Sequence, residues 1–591
     1  MNPLSENALK VLESRYLLKK SDGTLLEDPE QLFARVAKHI ASAELNYSDK
    51  KTADNWEKVF FDMMSQLYFL PNSPTLMNAG LSLNQLSACF VLPVNDSIEE
   101  IFTSLKNTAL IQQSGGGTGF NFSSLRHKGD FIETTSSNSS GPVSFMKIFD
   151  CTTEHIKQGG KRRGANMGVL SVHHPDIMNF IRAKEEETAL RNFNISVSVT
   201  DAFMQAAEEG GNYSLIHPVS GKRVAVLNAR EVFDAIVEAA WRTGDPGLLF
   251  YDSVNRANPT PHLGVLEATN PCGEVPLLPY ESCNLGSINL AHMLRDVNGR
   301  SEIDWKKLSN IASVATRFLD DVIEVSKYPV EQIDRMTKGN RKTGLGVMGF
   351  AEMLIRLDIS YDSDKAIDIA EQVMNTVAQK AFDTSQKLAE ERGVFPNWSG
   401  SIYEAKGIRI RNATRTAVAP TGTIGIIAGT SPSIEPLFAL AYKRSHVLGE
   451  EVLFETNPLF LEYLNGHGLK AHEVIEQILK EGGLRNVEAV PEHIRKLFVT
   501  ALDIPPHRHL QIQQAFQKYV DNSVSKTVNL ARQATIQDVN DVYNCAWKMG
   551  LKGITVYRYG SKSAQVLELG AGEEAHYYDH ASKCDPEECR V

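Results

Sequence analysis

The chain has 591 residues, enough for three or four average domains or for one large α/β fold with additions. Its 72 acidic residues outnumber 61 lysines and arginines, and the net charge of −11 is spread along the chain, which excludes the basic face of an electrostatic nucleic-acid binder. No apolar run reaches the roughly 18 residues of a membrane span, and MNPLSENALKVLESRYLLKK lacks a signal-peptide pattern, so the reading is a soluble cytoplasmic protein that engages no membrane.

Apolar residues recur at helical spacing through the opening stretch, as in PEQLFARVAKHIASAEL and WEKVFFDMMSQLYFL, so residues 1–85 are expected to form a helical N-terminal region. From residue 86 to 567, short β-rich runs (ACFVLPV, NFNISVSV, ITVYRYG) alternate with long amphipathic helical segments such as SIEEIFTSLKNTALIQQ. That alternation predicts α/β crossover units. Residues 568–591 carry few aliphatic side chains and no periodicity and read as a flexible tail. Seven cysteines, at 89, 151, 272, 283, 545, 584 and 589, are too few and too scattered for a disulfide framework. Cys151 and Cys545 read as structural.

The stretch NPCGEVPLLPYESC, residues 270–283, sets a cysteine between an amide and a carboxylate. Asn270 and Glu274 lie two residues either side of Cys272, so in an extended segment the three side chains would share one face. Pro271, Pro276 and Pro279 disfavour a helix and stiffen the loop. A lone cysteine is ordinarily a small buried apolar residue, and the symmetric polar flanks are what argue for chemistry here. A thiolate nucleophile needs a neighbouring cation or a helix N-terminus. Cys272 has a carboxylate instead, which raises a thiol pKa but leaves a neutral thiol able to give up a hydrogen atom. The flanks therefore fit radical chemistry better than thiolate attack.

Two further segments carry weaker signals. PTGTIG, residues 420–425, is small, hydroxyl-rich and followed by an apolar run, so it reads either as an ordinary turn or as a diphosphate cradle opening a helix. NDSIEEIF places Asp96 and Ser97, both good N-caps, ahead of an amphipathic helix.

Seven motifs in order, PNSPTLMNAG, SACFVLPVNDSIEEI, SGGGTGFNFSSLR, RNFNISVSVTDAFM, NPCGE, APTGTIGIIAGTSPSIEP and GITVYRYGS, span residues 71–561. In this combination the chain resembles the ribonucleotide reductases. The resemblance implies a ten-stranded α/β barrel with the NPCGE loop as a central catalytic finger. It also implies reduction of ribonucleotides, as diphosphates, to 2′-deoxyribonucleotides. Cys272 would be the thiyl radical that removes the ribose 3′ hydrogen, Glu274 the general base on the 3′ hydroxyl, and Asn270 a partner that orients the sugar. Cys89 and Cys283 would be the dithiol that supplies two electrons and ends as a disulfide. The tail pair Cys584 and Cys589, spaced C-x4-C, would re-reduce that disulfide and pass the oxidation to thioredoxin or glutaredoxin. A tail zinc site with His576 and His580 is the competing reading; otherwise no metal ligands are assigned.

The resemblance also maps Thr75, Ala88, Thr421, Gly422 and Thr423 onto the substrate-binding wall. Asp96, Ser97 and Arg126, with Gln158 and Arg162 of the basic loop QGGKRRGAN, map onto a site for a deoxynucleotide or ATP effector. The helix after Asp96 maps onto the interface of a homodimer. The 70 or so residues ahead of PNSPT lack a nucleotide-binding pattern, which implies specificity control without dATP shut-off at an N-terminal domain. For the radical source, APTGTIGIIAGTSPSIEP and GITVYRYGSKSAQVL look like the adenosylcobalamin-dependent class. The alternative is the large catalytic subunit of a class I enzyme, which needs a metal-containing small subunit. The adjacent tyrosines usual there are replaced by Tyr557 and Tyr559, split by Arg558. A reading from another class is a non-catalytic thiol-disulfide or nucleotide-sensing protein.

Overall fold

A computed structural model describes residues 2–134, 136–158, 162–186, 188–444 and 453–561. The chain begins with three capped helices. Ser5 caps α1 (Glu6–Arg15) by accepting from Ala8 N–H, an Asp28/Gln31 capping box with Pro29 at its first turn starts α2 (Pro29–Ala41), and Asp49 caps α3 (Lys50–Ser65). On α2 the buried set Leu32, Phe33, Val36, Ala37 and Ile40 falls at helical spacing and forms one stripe. It packs with α3 into a large apolar core shared with two later helices, α5 (Trp305–Val325) and α6 (Asp364–Arg392). The helix expected after Asp96 is α4 (Ile98–Gln113).

Ten strands make the main sheet: β1 (Phe69–Pro71), β2 (Cys89–Pro93), β3 (Gly117–Asn121), β4 (Asn166–Ser171), β5 (Phe193–Val199), β6 (Gly247–Phe250), β7 (Ser282–Asn289), β8 (Thr343–Met348), β9 (Thr527–Leu530) and β10 (Gly553–Arg558). β2 to β6 run parallel in sequence order. A second parallel group contains β7 with β8, and β9 with β10. Residues 414–418 join these two pairs. They bridge to β8 at Leu345↔Thr416 and to the lead-in of β9 at Val418↔Val524, with backbone bonds on both sides. The ring is closed by two antiparallel seams, β2 against β7 and β6 against β10. The result is an α/β barrel of two parallel halves, each of five strands, with β1 added antiparallel along β7.

Helices cover the outside of this barrel, and the inside is filled by the loop between β6 and β7. Side chains alternate accordingly on β2, where Phe90 and Leu92 enter the core beneath the outer helices while Cys89 and Val91 join an inner cluster with Met167, Leu277 and Leu285. Glycines make room for the loop. A Cβ at Gly119 would stand 1.7 Å from the Thr269 carbonyl oxygen, and one at Gly117 would stand 2.9 Å from the Pro271 ring. Among the described residues no helix is long and apolar enough to cross a membrane.

Candidate active site

The inserted loop is a finger with a short hairpin stem, Ala268–Thr269 paired antiparallel with Pro276–Leu277. Its tip is a turn and not the extended segment that the spacing of Asn270, Cys272 and Glu274 led one to expect. Gly273 N–H donates to Asn270 O at 3.0 Å, Pro271 takes the second turn position, and Gly273 has φ +82°, the left-handed region that glycine enters without strain. The three side chains consequently separate. Cys272 is exposed at the tip, while Asn270 and Glu274 are each 2 % exposed and turn into the barrel.

Inside, they meet the other thiols. Asn270 Nδ2 donates to Cys89 Sγ at 3.1 Å, and its Oδ1 accepts from Val275 N–H at 3.0 Å, so one amide ties the tip to its own stem and to β2. Cys89 Sγ lies 4.0 Å from Glu274 Oε1. Ser523 N–H donates to the Glu274 carbonyl and Asn194 Nδ2 to the Pro271 carbonyl, each at 2.8 Å, which holds the finger from both halves of the barrel. Cys283 faces Cys89 directly across the antiparallel β2–β7 seam, a pairing whose backbone separation suits a disulfide. Both thiols are buried. Burial pushes the Cys89 thiol well above its ordinary value, and the Glu274 carboxylate adds to that push. Burial likewise raises the Cys283 thiol, against an opposing pull from Lys342. Four of the five residues expected to do the chemistry are thus in one small buried volume, and the fifth, Cys272, stands at its mouth.

Residues 3–84 fit the family model described as ribonucleotide reductase, all-alpha domain, and residues 87–410 and 404–557 fit that of the ribonucleotide reductase barrel domain. The chain belongs to the ribonucleotide reductase family. A vitamin B12-dependent ribonucleoside-diphosphate reductase of Thermoplasma acidophilum is 50% identical to it, with 96% of this chain and 81% of the relative covered. One from Mycobacterium tuberculosis is 49% identical with the same coverage. The solved alpha subunit of the class Id ribonucleotide reductase of Actinobacillus ureae superposes with a TM-score of 0.76 at 26% identity, covering 94% of this chain and 97% of the other.

Elsewhere in this reductase the remaining residues are placed as follows. Thr421 (φ +50°) stands before a one-turn-and-more helix, α7 (Gly422–Ala428), its hydroxyl accepting from Ser433 N–H at 2.6 Å. Gly422 is exposed with open space where a Cβ would be, and Thr423 is half-buried. Thr75 is fully buried, its hydroxyl bonded to Asn72 Oδ1 and Leu86 O at 2.9 and 3.0 Å, and Ala88 is half-buried. At the start of α4, Ser97 is the N-cap and Asp96 does something else: its carboxylate accepts from Arg126 N–H at 3.0 Å and from the Arg126 guanidinium at 2.7 Å. Nearby, His127, Asp130 and His217 bring possible ligand atoms within 4.8 Å of one another. However, His217 Nδ1 accepts from the Val219 and Ser220 N–H groups, so its Nε2 carries the proton and donates to Asp130 at 2.9 Å. A hydrogen-bonded pair results, not a metal cradle. Gln158 pairs with Arg162 in a two-residue backbone hairpin. Cys584 and Cys589 lie outside the described residues, as do His576 and His580.

Sequence reasoning missed Lys342, Glu281, Asn194 and Ser523. Lys342 leaves one trace, a lysine opening the otherwise apolar run TGLGVMGF. The other three act through backbone groups or through pairing that only the folded barrel creates.

Proposed function

We propose that this chain reduces ribonucleoside diphosphates to 2′-deoxyribonucleoside diphosphates by thiyl-radical chemistry, with adenosylcobalamin as the radical source. The observation that carries the reading is the Cys89/Cys283 pair lying beneath a finger whose exposed tip bears Cys272, with Asn270 and Glu274 against Cys89. When bound, adenosylcobalamin supplies the one-electron chemistry that takes the hydrogen atom from the Cys272 thiol. The tip fits such an approach: the thiol is exposed, and a Cβ at the adjacent Gly273 would meet nothing within 4 Å, so Cys272 and Gly273 would take the group's reactive end. Cys272 then removes the ribose 3′ hydrogen, Glu274 takes the 3′ hydroxyl proton, and Asn270 orients the sugar. The 2′ hydroxyl leaves as water with a proton from the dithiol. Cys89 and Cys283 give up two electrons and two protons in all and become a disulfide, so that nucleotide plus dithiol yields deoxynucleotide, water and disulfide. Thr421, Gly422 and Thr423, at the end of the 414–418 strand, form the substrate's phosphate wall with Thr75 and Ala88 behind.

The Cys584/Cys589 pair then exchanges with the buried disulfide, and thioredoxin or glutaredoxin renews the pair. The Asp96–Arg126 pair, with Ser97 and the hairpin of Gln158 and Arg162, forms the deoxynucleotide or ATP effector site. α4 exposes Ile98 (64%), Phe102 (47%) and Leu110 (38%), an apolar row that supports homodimerisation through this helix. The deciding experiment supplies purified chain with adenosylcobalamin, a small dithiol and a ribonucleoside diphosphate. Deoxynucleotide should form without any second protein. Turnover that appears only after a metal-containing small subunit is added would move the chain to the partner-dependent class.

A further inference from the structure

The two buried thiols differ in their electrostatic surroundings: the Glu274 carboxylate acts on both, and a lysine acts on Cys283. Cys89 has the Glu274 carboxylate 4.0 Å from its sulfur, with the Asn270 amide as a neutral donor. Cys283 lies at the start of β7, where the parallel register with β8 sets Asn284 beside Thr343 and so brings Lys342 alongside Cys283. Lys342 is 1% exposed, and its Nζ is 2.6 Å from Glu281 Oε2. Glu281 is itself tethered by Leu278 N–H and by Asn340 Nδ2, which fixes the ammonium in the barrel wall. No Cβ separates the strands at this level: one built on Gly344 would stand 3.6 Å from Cys283 Sγ. The charged and titratable groups that bear on the pair are Glu274 and Glu281 from the finger and its return, Cys272 at the finger tip, Lys342 from the lead-in to β8, and the facing thiol. Asp521 and Lys552 share a cavity wall with Lys342. Among the described residues Lys342 is the cation that acts on Cys283, where it opposes burial, whereas on Cys89 the opposing pull comes from the Asn270 amide.

We propose that Lys342 is a positioning residue that makes Cys283 the leaving sulfur when the Cys89–Cys283 disulfide is reopened, directing the incoming thiolate onto Cys89. This rests on the reading that Cys89 and Cys283 are the reductant pair. The thiolate of an incoming dithiol attacks Cys89 Sγ, the Cys89–Cys283 bond breaks, and the electron pair leaves with Cys283 as a thiolate beside Lys342. The second thiol of the reductant then attacks the mixed disulfide and frees Cys89. Each released sulfur gains a proton, and the reductant departs as its own disulfide. Exchange is faster when the leaving thiolate is better stabilised. In a buried site, an ammonium fixed nearer one sulfur stabilises a thiolate there more than on the facing sulfur. Glu281 is the lysine's partner at 2.6 Å and acts on Cys283 in the opposite sense.

The test starts from oxidised full-length enzyme exposed briefly to a small monothiol, acid-quenched and mapped by mass spectrometry. The mixed disulfide should sit on Cys89. In parallel, Lys342→Met, Lys342→Arg and the double variant Lys342→Met/Glu281→Gln are reopened with dithiothreitol across a pH series. Lys342→Met and the double variant should reopen about tenfold more slowly than the wild type, with the rise toward the reductant's own thiol ionisation common to all, and Lys342→Arg should recover most of the rate. A mixed disulfide on Cys283 in the wild-type chain, or equal reopening rates in all four proteins, overturns the proposal; the wild-type mapping and the arginine variant keep that true even if Lys342→Met fails to fold. The single-turnover burst of deoxynucleotide from pre-reduced wild-type enzyme is measured alongside. Loss of that burst counts against the reductant role of the pair, whereas a burst with mapping on Cys283 counts against Lys342 alone.

Discussion

The turn that separates Cys272 from Asn270 and Glu274 decides what each residue is exposed to. At the tip, replacing Cys272 with Ser is expected to remove deoxynucleotide formation entirely while leaving reopening of the Cys89–Cys283 disulfide by dithiothreitol at the wild-type rate; a non-catalytic thiol-exchange protein would show no loss that depends on nucleotide. Asn270→Ala deletes the donor to Cys89 and the acceptor of Val275 N–H together. The Val275 N–H left unpaired in the core costs about 1–3 kcal/mol of stability, read as a lower urea midpoint, and loss of the amide proposed to orient the sugar is expected to lower kcat roughly ten- to a hundredfold. Thiol reactivity gives a pH test. Burial raises both Cys89 and Cys283, so each is a neutral thiol through neutral pH, and its thiolate fraction grows only above the ordinary value of 9.0. Timed iodoacetamide labelling with peptide mapping at pH 7 should therefore mark exposed Cys151 and Cys272 long before either buried thiol. Equal labelling of all four would contradict the buried arrangement.

At the scale of an element, the finger exists because strand β3 carries no side chains where the loop passes. A Cβ at Gly119 would overlap the Thr269 carbonyl. Gly119→Ala is expected to push the stem off β3 and reduce activity by at least a hundredfold while far-UV circular dichroism stays near native, since the outer face of β3, with Phe120, is untouched. An active Gly119→Ala enzyme would show that the finger does not need this contact. The glycines of SGGGTGFNF were visible in the sequence as part of a motif, but their purpose was not, because the loop that fills their space comes 150 residues later in the chain. The helices α2 and α4 and strands β2, β5 and β10 were legible from periodicity and caps, since local propensity and burial agree there. The 414–418 strand was not: TRTAVAP is short, mixed and joined by isolated bridges, so only its neighbours make it a strand. The same distinction holds at the site. Cys89 and Cys283 were reached through resemblance, whereas Lys342 depends on register, which no single segment encodes.

Across the whole molecule, the N-terminal helices are bolted to the barrel by a buried ionic lattice. Glu44, fully buried, accepts from Arg317 and Arg392 at 2.6 and 2.7 Å; Arg392 also reaches Asp320 and Asp321 at 3.0 and 2.6 Å, and Arg341 joins Asp320 to Glu324 at 2.9 and 2.8 Å. Burial opposes ionisation of Asp320, yet Arg341, Arg411 and Arg392 with the Asn412 bond outweigh it and hold the carboxyl far below its ordinary 3.8. A folded-state value depressed in this way contributes stability that is complete above the unfolded value and disappears as pH falls through and below 3.8. Asp320→Asn leaves the buried arginines short of a counter-charge and is expected to cost about 3–5 kcal/mol, read as a lower urea midpoint at pH 7 that converges with wild type as the solution is acidified. A variant midpoint equal to wild type at pH 7 would falsify the lattice's role in joining the two regions.

The seam between β2 and β7 has one more consequence. The residues it brings together are far apart in the chain: it pairs Cys89 with Cys283, and so sets Cys89 against Glu274 of the finger across a separation of 185 positions. Contacts of such high sequence separation form late, after loop closure has been achieved. A chain in which this seam has not closed therefore carries Cys272 and Glu274 on one loop without Cys89 and Cys283 beneath it. Barrel closure is what gathers the finger and the two strand thiols into one volume, so these groups meet only in a molecule that is already whole.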